Sequence, residues 1–133
     1  MAAKPENSFI GRIHKKLPLS VYHMKNNNAY TAGVPDVWYS GNGGDLWVEY
    51  KYVDPLPVSV PVRPMKLLSA LQAEWLAKRY DQGRNVAVII GCKTGGIVLR
   101  DKKWVDEIPV TLFRSLIQSH AQLAEWVVGE VSK

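Results

Sequence analysis

The sequence contains a single cysteine, Cys92, so no disulfide can form within the chain. This fits a reducing, intracellular setting. No histidine lies nearby in sequence to activate the thiol, and Cys92 is therefore expected to be a small buried side chain. No apolar run approaches the ~18 residues that a membrane-spanning helix needs, and no signal-peptide core is present. We therefore expect a cytoplasmic protein without a membrane partner.

Acidic residues are also scarce, and no internal repeat or low-complexity tract is present. Asp and Glu number 12 against 17 Lys and Arg, which gives a net charge of +5 and a pI near 9.4. An excess of cations fits a polyanionic partner, because basic side chains that neutralise phosphates release counterions. The three histidines have no metal-binding spacing. The basic residues that we expect to contact nucleic acid are Lys15, Lys16, Lys25, Arg63 and Lys66.

The hydrophobic pattern predicts one α/β domain over residues 1–133. Helices are predicted over 6–16 and 70–81, with a last helix that begins after Thr111. Strands are predicted over 34–39, 46–52 and 86–90, followed by a hairpin into 97–99. The α-β-β-α-β order predicts a mixed sheet flanked by helices. The apolar residues expected to face inward are Phe9, Ile10, Ile13, Leu17, Leu71, Trp75, Leu76, Leu112, Leu116, Leu123 and Val127.

The first two strands form a predicted hairpin. The pair Asn42-Gly43 favours a two-residue turn with positive φ at both positions, so paired residue numbers would sum to 85. Asp36 would then lie opposite Glu49, although a bulged loop would shift this register by one residue. Residues 46–52 alternate, which places Glu49 and Lys51 on one face and apolar side chains on the other.

Directly opposed residues on neighbouring strands have Cβ atoms roughly 5 Å apart, so two carboxylates there repel each other and a cation between them would stabilise the pair. Mg²⁺ suits such a site, because it prefers oxygen ligands and typically uses one or two carboxylates together with a substrate phosphate. The alternative is a solvated hairpin with a cross-strand charge cluster. The sequence thus indicates a divalent-metal site completed by nucleic acid.

These residues resemble the signature of the PD-(D/E)XK nuclease superfamily, with Pro35-Asp36 as its first half and Glu49-Tyr50-Lys51 as its second. The order of motifs across residues 6–99 is most similar to the virus-type replication-repair nuclease (VRR-NUC) group. The resemblance implies a restriction-endonuclease-like fold. It also implies that Asp36, Glu49 and the backbone carbonyl of Tyr50 bind Mg²⁺, or Mn²⁺ in its place, and that Lys51 orients the attacking water.

Two further residues take roles that the resemblance implies, and each has a second interpretation. Gln72 matches a glutamine that family members place near the catalytic residues, but Ser69-Ala70-Leu71-Gln72 also fits a helix capping box. Glu6 is the only acidic residue before Asp36 and matches an acid that completes the metal site. It is equally well explained as the acid of a first helical turn after Pro5.

Two surface features are also left with alternatives. Residues 54–64 hold four prolines, which predicts an extended loop that either contacts DNA through Arg63 and Lys66 or only connects two elements. Trp38 and Trp47 either fill the core or flank the catalytic face, where they could stack on a base or sugar.

We interpret the sequence as that of a small Mg²⁺-dependent DNA endonuclease. Its resemblance to compact stand-alone family members implies a phage or mobile-element origin, and a phage-encoded protein would be located in the host cytoplasm. Selectivity for junctions or flaps is left open, as is an RNA substrate. A homodimer would favour four-way junctions through paired active sites. The competing class is a non-catalytic DNA-binding or assembly protein with a nuclease-like fold.

Overall fold

The computed structural model describes residues 4–26 and 32–133. Five strands form one sheet in the order β1-β2-β3-β4-β5: β1 (Tyr22–Lys25), β2 (Val37–Gly41), β3 (Gly44–Tyr52), β4 (Val86–Cys92) and β5 (Gly95–Leu99). The helices are α1 (Pro5–His14), α2 (Pro64–Leu67), α3 (Ala70–Asp81), α4 (Val110–Leu116) and α5 (His120–Val131), with a 3-10 turn at Lys103–Val105. Among the strand pairs of the described residues, β3 with β4 is the only parallel one, because α2 and α3 connect these two strands.

The register of the central hairpin agrees with the prediction from Asn42-Gly43. Gly41 pairs with Gly44 and Val37 with Val48, so paired numbers sum to 85. The predicted alternation in β3 is confirmed as well, since Leu46, Val48 and Tyr50 are fully buried on one face.

Both faces of the sheet are covered, but by different elements. On one face, α1 and α5 pack over β2 and β3, and Phe9, Ile13 and Val127 enclose the core there. On the other face, α3 and the segment around Trp104 cover β4 and β5. Every residue of β4 is buried, which explains its continuous apolar sequence. Cys92, at the end of β4, is buried as expected.

The first helix and first hairpin strand have different limits from those predicted. The helix ends at His14 rather than at Lys16, because Pro18 disfavours helical geometry for the residue before it. The strand predicted over 34–39 begins only at Val37. Pro35 has no N–H to donate to a ladder, and Gly33 adopts a φ of +88° that extended strands do not use.

The predicted last helix is in fact two helices. Residues 117–119 are extended, and Gln118 exchanges two backbone hydrogen bonds with Gly96 of β5, at 3.0 and 2.8 Å. A new helix then begins with a capping box between Ser119 and Gln122. Because of the break, Leu112 and Leu116 of α4 are exposed, contrary to prediction, whereas Leu123 and Val127 of α5 are buried.

Three further differences concern short or terminal elements. The edge strand β1 was not predicted, because its four residues are all exposed and show no alternation of burial. The proline-rich segment contains the single-turn α2, which begins at Pro64. Leu71, which was predicted to face inward, is exposed. The backbone of α3 packs closely against Gly33 here, where a Cβ would lie 2.6 Å from the Leu71 carbonyl oxygen.

Within residues 4–26 and 32–133, no helix is long and apolar enough to cross a membrane.

Candidate active site

Asp36 and Glu49 meet where β2 and β3 diverge. The ladder between the strands begins at the pair Val37 and Val48, so Asp36 and Glu49 occupy the next position beyond it. There the Asp36 side chain takes the place of a ladder partner: its Oδ2 accepts a hydrogen bond of 2.9 Å from the backbone N–H of Tyr50. The hairpin register thus brings together the two carboxylates that the sequence predicted.

Glu49 is a buried carboxylate, with only 1% of its surface exposed. Its Oε1 has no hydrogen-bond partner in the part of the chain that the structure describes. Burial and, to a smaller extent, the Asp36 charge raise the pKa of Glu49 to about 8, and Lys51 opposes this shift. A buried, poorly satisfied carboxylate beside a second one is stabilised when a cation approaches.

Lys51 supplies the positive charge of the site. It lies two residues after Glu49 in β3, and therefore on the same face of the sheet, with its Nζ 3.4 Å from Oε2 of Glu49. The side chain is 21% exposed, so the ammonium group borders solvent while its stem is held against the protein. One ammonium faces two carboxylates here, which leaves the immediate cluster one negative charge in excess when both are ionised.

Glu6 belongs to the electrostatic surroundings of this cluster. It lies in the first turn of α1, which begins at Pro5, as one interpretation of the sequence predicted. Its pKa is raised by burial and next by the Asp36 charge, whereas Lys51, Lys25 and Lys4 lower it. Among the described residues, however, no group of three or more Asp, Glu, His or Cys side chains is placed so that it could hold a metal ion. A ligand role for Glu6 therefore stays a prediction.

Gln72 forms the capping box that was one of its two interpretations. Its Oε1 accepts a hydrogen bond from the backbone N–H of Ser69 at 2.9 Å, and its own N–H donates to the Ser69 hydroxyl at 3.1 Å. The side-chain oxygen is thus occupied at the start of α3. A role of Gln72 in catalysis stays a prediction.

The basic candidates for nucleic-acid contact are spread over the surface. Lys25 of β1 pairs with Val37, next to Asp36, and donates a hydrogen bond to Asn7. Lys15 and Lys16 follow α1, whose ten residues place them about 15 Å along its axis from the Glu6 end. Arg63 forms an exposed ion pair of 3.1 Å with Glu107, and Lys66 lies beside it at an apolar hollow of the proline-rich segment.

A buried polar chain next to the site was not predicted from the sequence. The hydroxyl groups of Tyr39 and Tyr50 lie 2.6 Å apart, and Nε2 of His14 lies 2.7 Å from the Tyr39 hydroxyl. Alternation placed Tyr50 on the core face, but it could not show that Tyr39 lies within reach on the neighbouring strand. Burial raises the pKa of both phenols and, aided by His23, lowers that of His14 to about 4.

The donor set of the cluster fits a hard divalent cation. Asp36 and Glu49 offer carboxylate oxygens, the Tyr50 carbonyl lies between Glu49 and Lys51 in the same strand, and Oε1 of Glu49 lacks a hydrogen-bond donor among residues 4–26 and 32–133. Mg²⁺ and Mn²⁺ take such oxygen ligands, whereas softer metals favour sulfur and imidazole.

No protein-family model matches the sequence, and no curated protein matches it at a significant level. The structure does match solved ones. One is the 1.6 Å structure of Hjc from Archaeoglobus fulgidus, a Holliday junction resolvase from an archaeal hyperthermophile. The match covers 92% of this chain and 97% of Hjc, with a TM-score of 0.55 and 14% sequence identity.

The fold is restriction-endonuclease-like. This confirms the predicted fold class, a mixed sheet flanked by helices. An identity of 14% supports the shared fold and nothing finer. The narrower resemblance to the VRR-NUC group, like the phage origin, stays a prediction.

Proposed function

We propose that this protein is a metal-dependent endonuclease that hydrolyses phosphodiester bonds in DNA and prefers branched structures such as junctions or flaps. One observation carries the proposal: the fold brings Asp36, Glu49 and Lys51 together on one sheet face, and one oxygen of the buried Glu49 carboxylate has no hydrogen-bond partner among the described residues. Structural residues have no need for such an arrangement, because it costs stability.

In this reaction the protein would have two roles: to bind a divalent cation and to hold a positive charge beside the phosphate. Asp36, Glu49 and the Tyr50 carbonyl would hold Mg²⁺ or Mn²⁺, and the metal would supply a Lewis acid and a water more acidic than bulk water. Lys51 would keep its ammonium beside the phosphate and orient the attacking water. At about 4 Å and an effective dielectric constant of ~20, one charge pair is worth roughly 4 kcal/mol, which is significant relative to a reaction barrier.

The preference for branched DNA rests on the fold likeness to a protein described as a Holliday junction resolvase. Many functions share one fold, so this part of the proposal is an analogy. The net charge of +5 supports a nucleic-acid partner of either kind, so an RNA substrate is an outcome of the same test. Paired sites in a homodimer would suit a four-way junction.

The test compares cleavage of labelled four-way junction, flap, blunt duplex, single-stranded DNA and RNA, with Mg²⁺, Mn²⁺ or EDTA. Wild-type protein should cut branched DNA only with a divalent ion, and Lys51→Ala should not cut. Lys103→Ala, which removes an exposed lysine of the 3-10 turn outside the cluster, is the matched control and should cut the DNA. Binding without cleavage of any substrate would instead identify a non-catalytic DNA-binding protein with this fold.

A further inference from the structure

A row of aromatic rings crosses one face of the sheet. The ring centroids of Tyr22 and Trp38 lie 5.5 Å apart, those of Trp38 and Trp47 lie 6.1 Å apart and are stacked, and those of Trp47 and Trp75 lie 5.5 Å apart. The guanidinium of Arg79 lies over the Trp75 ring at 5.5 Å and ends the row with a positive charge. We call these five residues the aromatic row.

Both ends of the aromatic row are exposed to solvent. Arg79 is exposed and Tyr22 at the sheet edge is 56% exposed, whereas Trp38, Trp47 and Trp75 between them are partly buried. Met24, which pairs with Trp38 and so shares its face, is 41% exposed. Contiguous apolar and aromatic surface left open to water marks an interaction site more often than it serves folding.

The aromatic row adjoins the candidate active site. Trp38 pairs with Trp47, and the next pair of positions on the same face is that of Asp36 and Glu49. Two residues of extended strand span roughly 7 Å, so the Cα atoms of the two tryptophans lie about that far along the strands from those of Asp36 and Glu49. A nucleotide next to a phosphate at the carboxylates would reach these rings.

The chemistry of the aromatic row favours a nucleic-acid base over an apolar protein surface. Aromatic side chains stack on bases of any sequence, and a guanidinium adds a cation–π contact. Two positive charges lie near the indoles of Trp38 and Trp47: Lys51 lies beside the carboxylates, and Arg79 lies at the α3 end of the aromatic row.

We propose that the aromatic row is a stacking platform for unpaired nucleotides that flank the phosphate held at Asp36 and Glu49. Such nucleotides occur in the single-stranded arm of a flap and are absent from blunt duplex. This inference rests on the proposed function, since it defines the class of DNA that the same site would take.

The platform can be tested by binding alone, in EDTA, where no metal-dependent cutting occurs. A fluorescent label on the DNA reports affinity for single strand, a flap with an unpaired arm, and blunt duplex. Trp38→Leu and Trp47→Leu keep apolar bulk but remove the stacking ring, whereas Trp38→Tyr retains one. Trp126→Leu is the matched control, because Trp126 is a half-buried tryptophan that packs on the opposite face.

The two leucine variants should bind single strand and flap about 5-fold to about 150-fold more weakly than wild type, which is the measured range for one base on one aromatic ring. Blunt duplex should be affected less, and Trp38→Tyr and Trp126→Leu should bind like wild type. Equal loss on all DNA forms, or no loss, would overturn the platform. So would dissociation of a dimer by Trp38→Leu in sedimentation, since the aromatic row would then contact a second copy.

These outcomes are separate from the test of cleavage. If the platform is wrong and the nuclease proposal right, metal-dependent cutting persists while the leucine variants bind unpaired DNA normally. If the nuclease proposal is wrong, stacking is measured without any cutting by wild-type protein.

Discussion

The carboxylate of Asp36 accepts a hydrogen bond of 2.9 Å from the backbone N–H of Tyr50. This bond fixes one carboxylate beside the next strand at the point where the ladder between β2 and β3 stops. The Tyr50 carbonyl and the Glu49 side chain are therefore held in a constant relation to Asp36. In the proposed nuclease this geometry would favour cation binding at the expense of stability, and substitutions of Glu49 separate these two effects.

Substitution of Glu49 should change activity and stability in opposite directions. Glu49→Gln removes a buried negative charge next to Asp36, so the metal-free protein should melt at a higher temperature than wild type at pH 8 and above. The same change should lower cleavage by at least about 100-fold, because a charged oxygen is lost from the site. Thermal melting in EDTA measures the stability change, and a cleavage assay measures the change in activity.

Asp45→Asn, at an exposed position on the same strand, is the control and should leave both the melting temperature and the cleavage rate unchanged. A lower melting temperature of Glu49→Gln in EDTA would contradict the prediction.

The stability of the metal-free protein should depend on pH through the same residue. Burial raises the pKa of Glu49 from 4.5 to about 8, so between these values the folded protein holds a proton that the unfolded chain has released. Stability conferred by that proton is complete below pH 4.5 and is lost as the pH rises to about 8. Urea unfolding in EDTA from pH 5 to pH 9 should show this decline, and Glu49→Gln should show a smaller one. Parallel curves for the two proteins would assign the pH dependence to other groups.

Metal binding should release that proton. At pH 7 Glu49 is mostly protonated in the absence of metal, and a bound cation requires the carboxylate. Calorimetric titration with Mg²⁺ in buffers of different ionisation enthalpy should therefore report about one proton released per site. The release should become small above pH 9 and should be absent in Glu49→Gln. Binding without proton release at pH 7 would show that Glu49 is already ionised.

The sequence was sufficient to predict the parts of the fold that local chemistry determines. The Asn42-Gly43 turn fixed the register, and the alternation from Leu46 to Tyr52 separated the site face from the core face. Ser69 and Gln72 predicted the beginning of α3. In each case residues close in sequence make the deciding contacts.

The features that were missed depend on contacts between distant residues. Residues 117–119 break the last helix because Gln118 pairs with Gly96, about twenty residues earlier in the chain. The hydroxyl contact of Tyr39 with Tyr50 and the row from Trp38 to Trp75 form only when strands and helix are assembled. Sequence periodicity gives the face of a side chain but not its partner across the sheet.

The buried hydroxyl groups beside the site should act as a unit. Tyr39→Phe leaves both the Tyr50 hydroxyl and His14 without their partner, which should cost about 1–3 kcal/mol of unfolding free energy. The double variant should lose less unfolding free energy than the sum of the two single variants, because it no longer contains a buried Tyr50 hydroxyl without a hydrogen-bond partner. Urea unfolding of the double-mutant cycle measures this coupling. Tyr52→Phe, on a half-buried tyrosine at the end of the same strand, should have little effect, and strict additivity of Tyr39→Phe and Tyr50→Phe would contradict the coupling.

The two capping boxes offer a matched test of Gln72. Gln72 and Gln122 make the same pair of hydrogen bonds with Ser69 and Ser119, but only Gln72 lies on the helix that approaches the site face. Because the Gln72 side chain is occupied as a cap, we expect Gln72→Ala and Gln122→Ala to lower the unfolding free energy alike, by roughly 1 kcal/mol. Cleavage rates measured well below the melting temperature should then be equal for the two variants. The contrary result is a cleavage rate that falls at least about tenfold in Gln72→Ala alone while both variants lose equal stability. It would place the Gln72 amide in the reaction, because the stability effect is the same for the two helices.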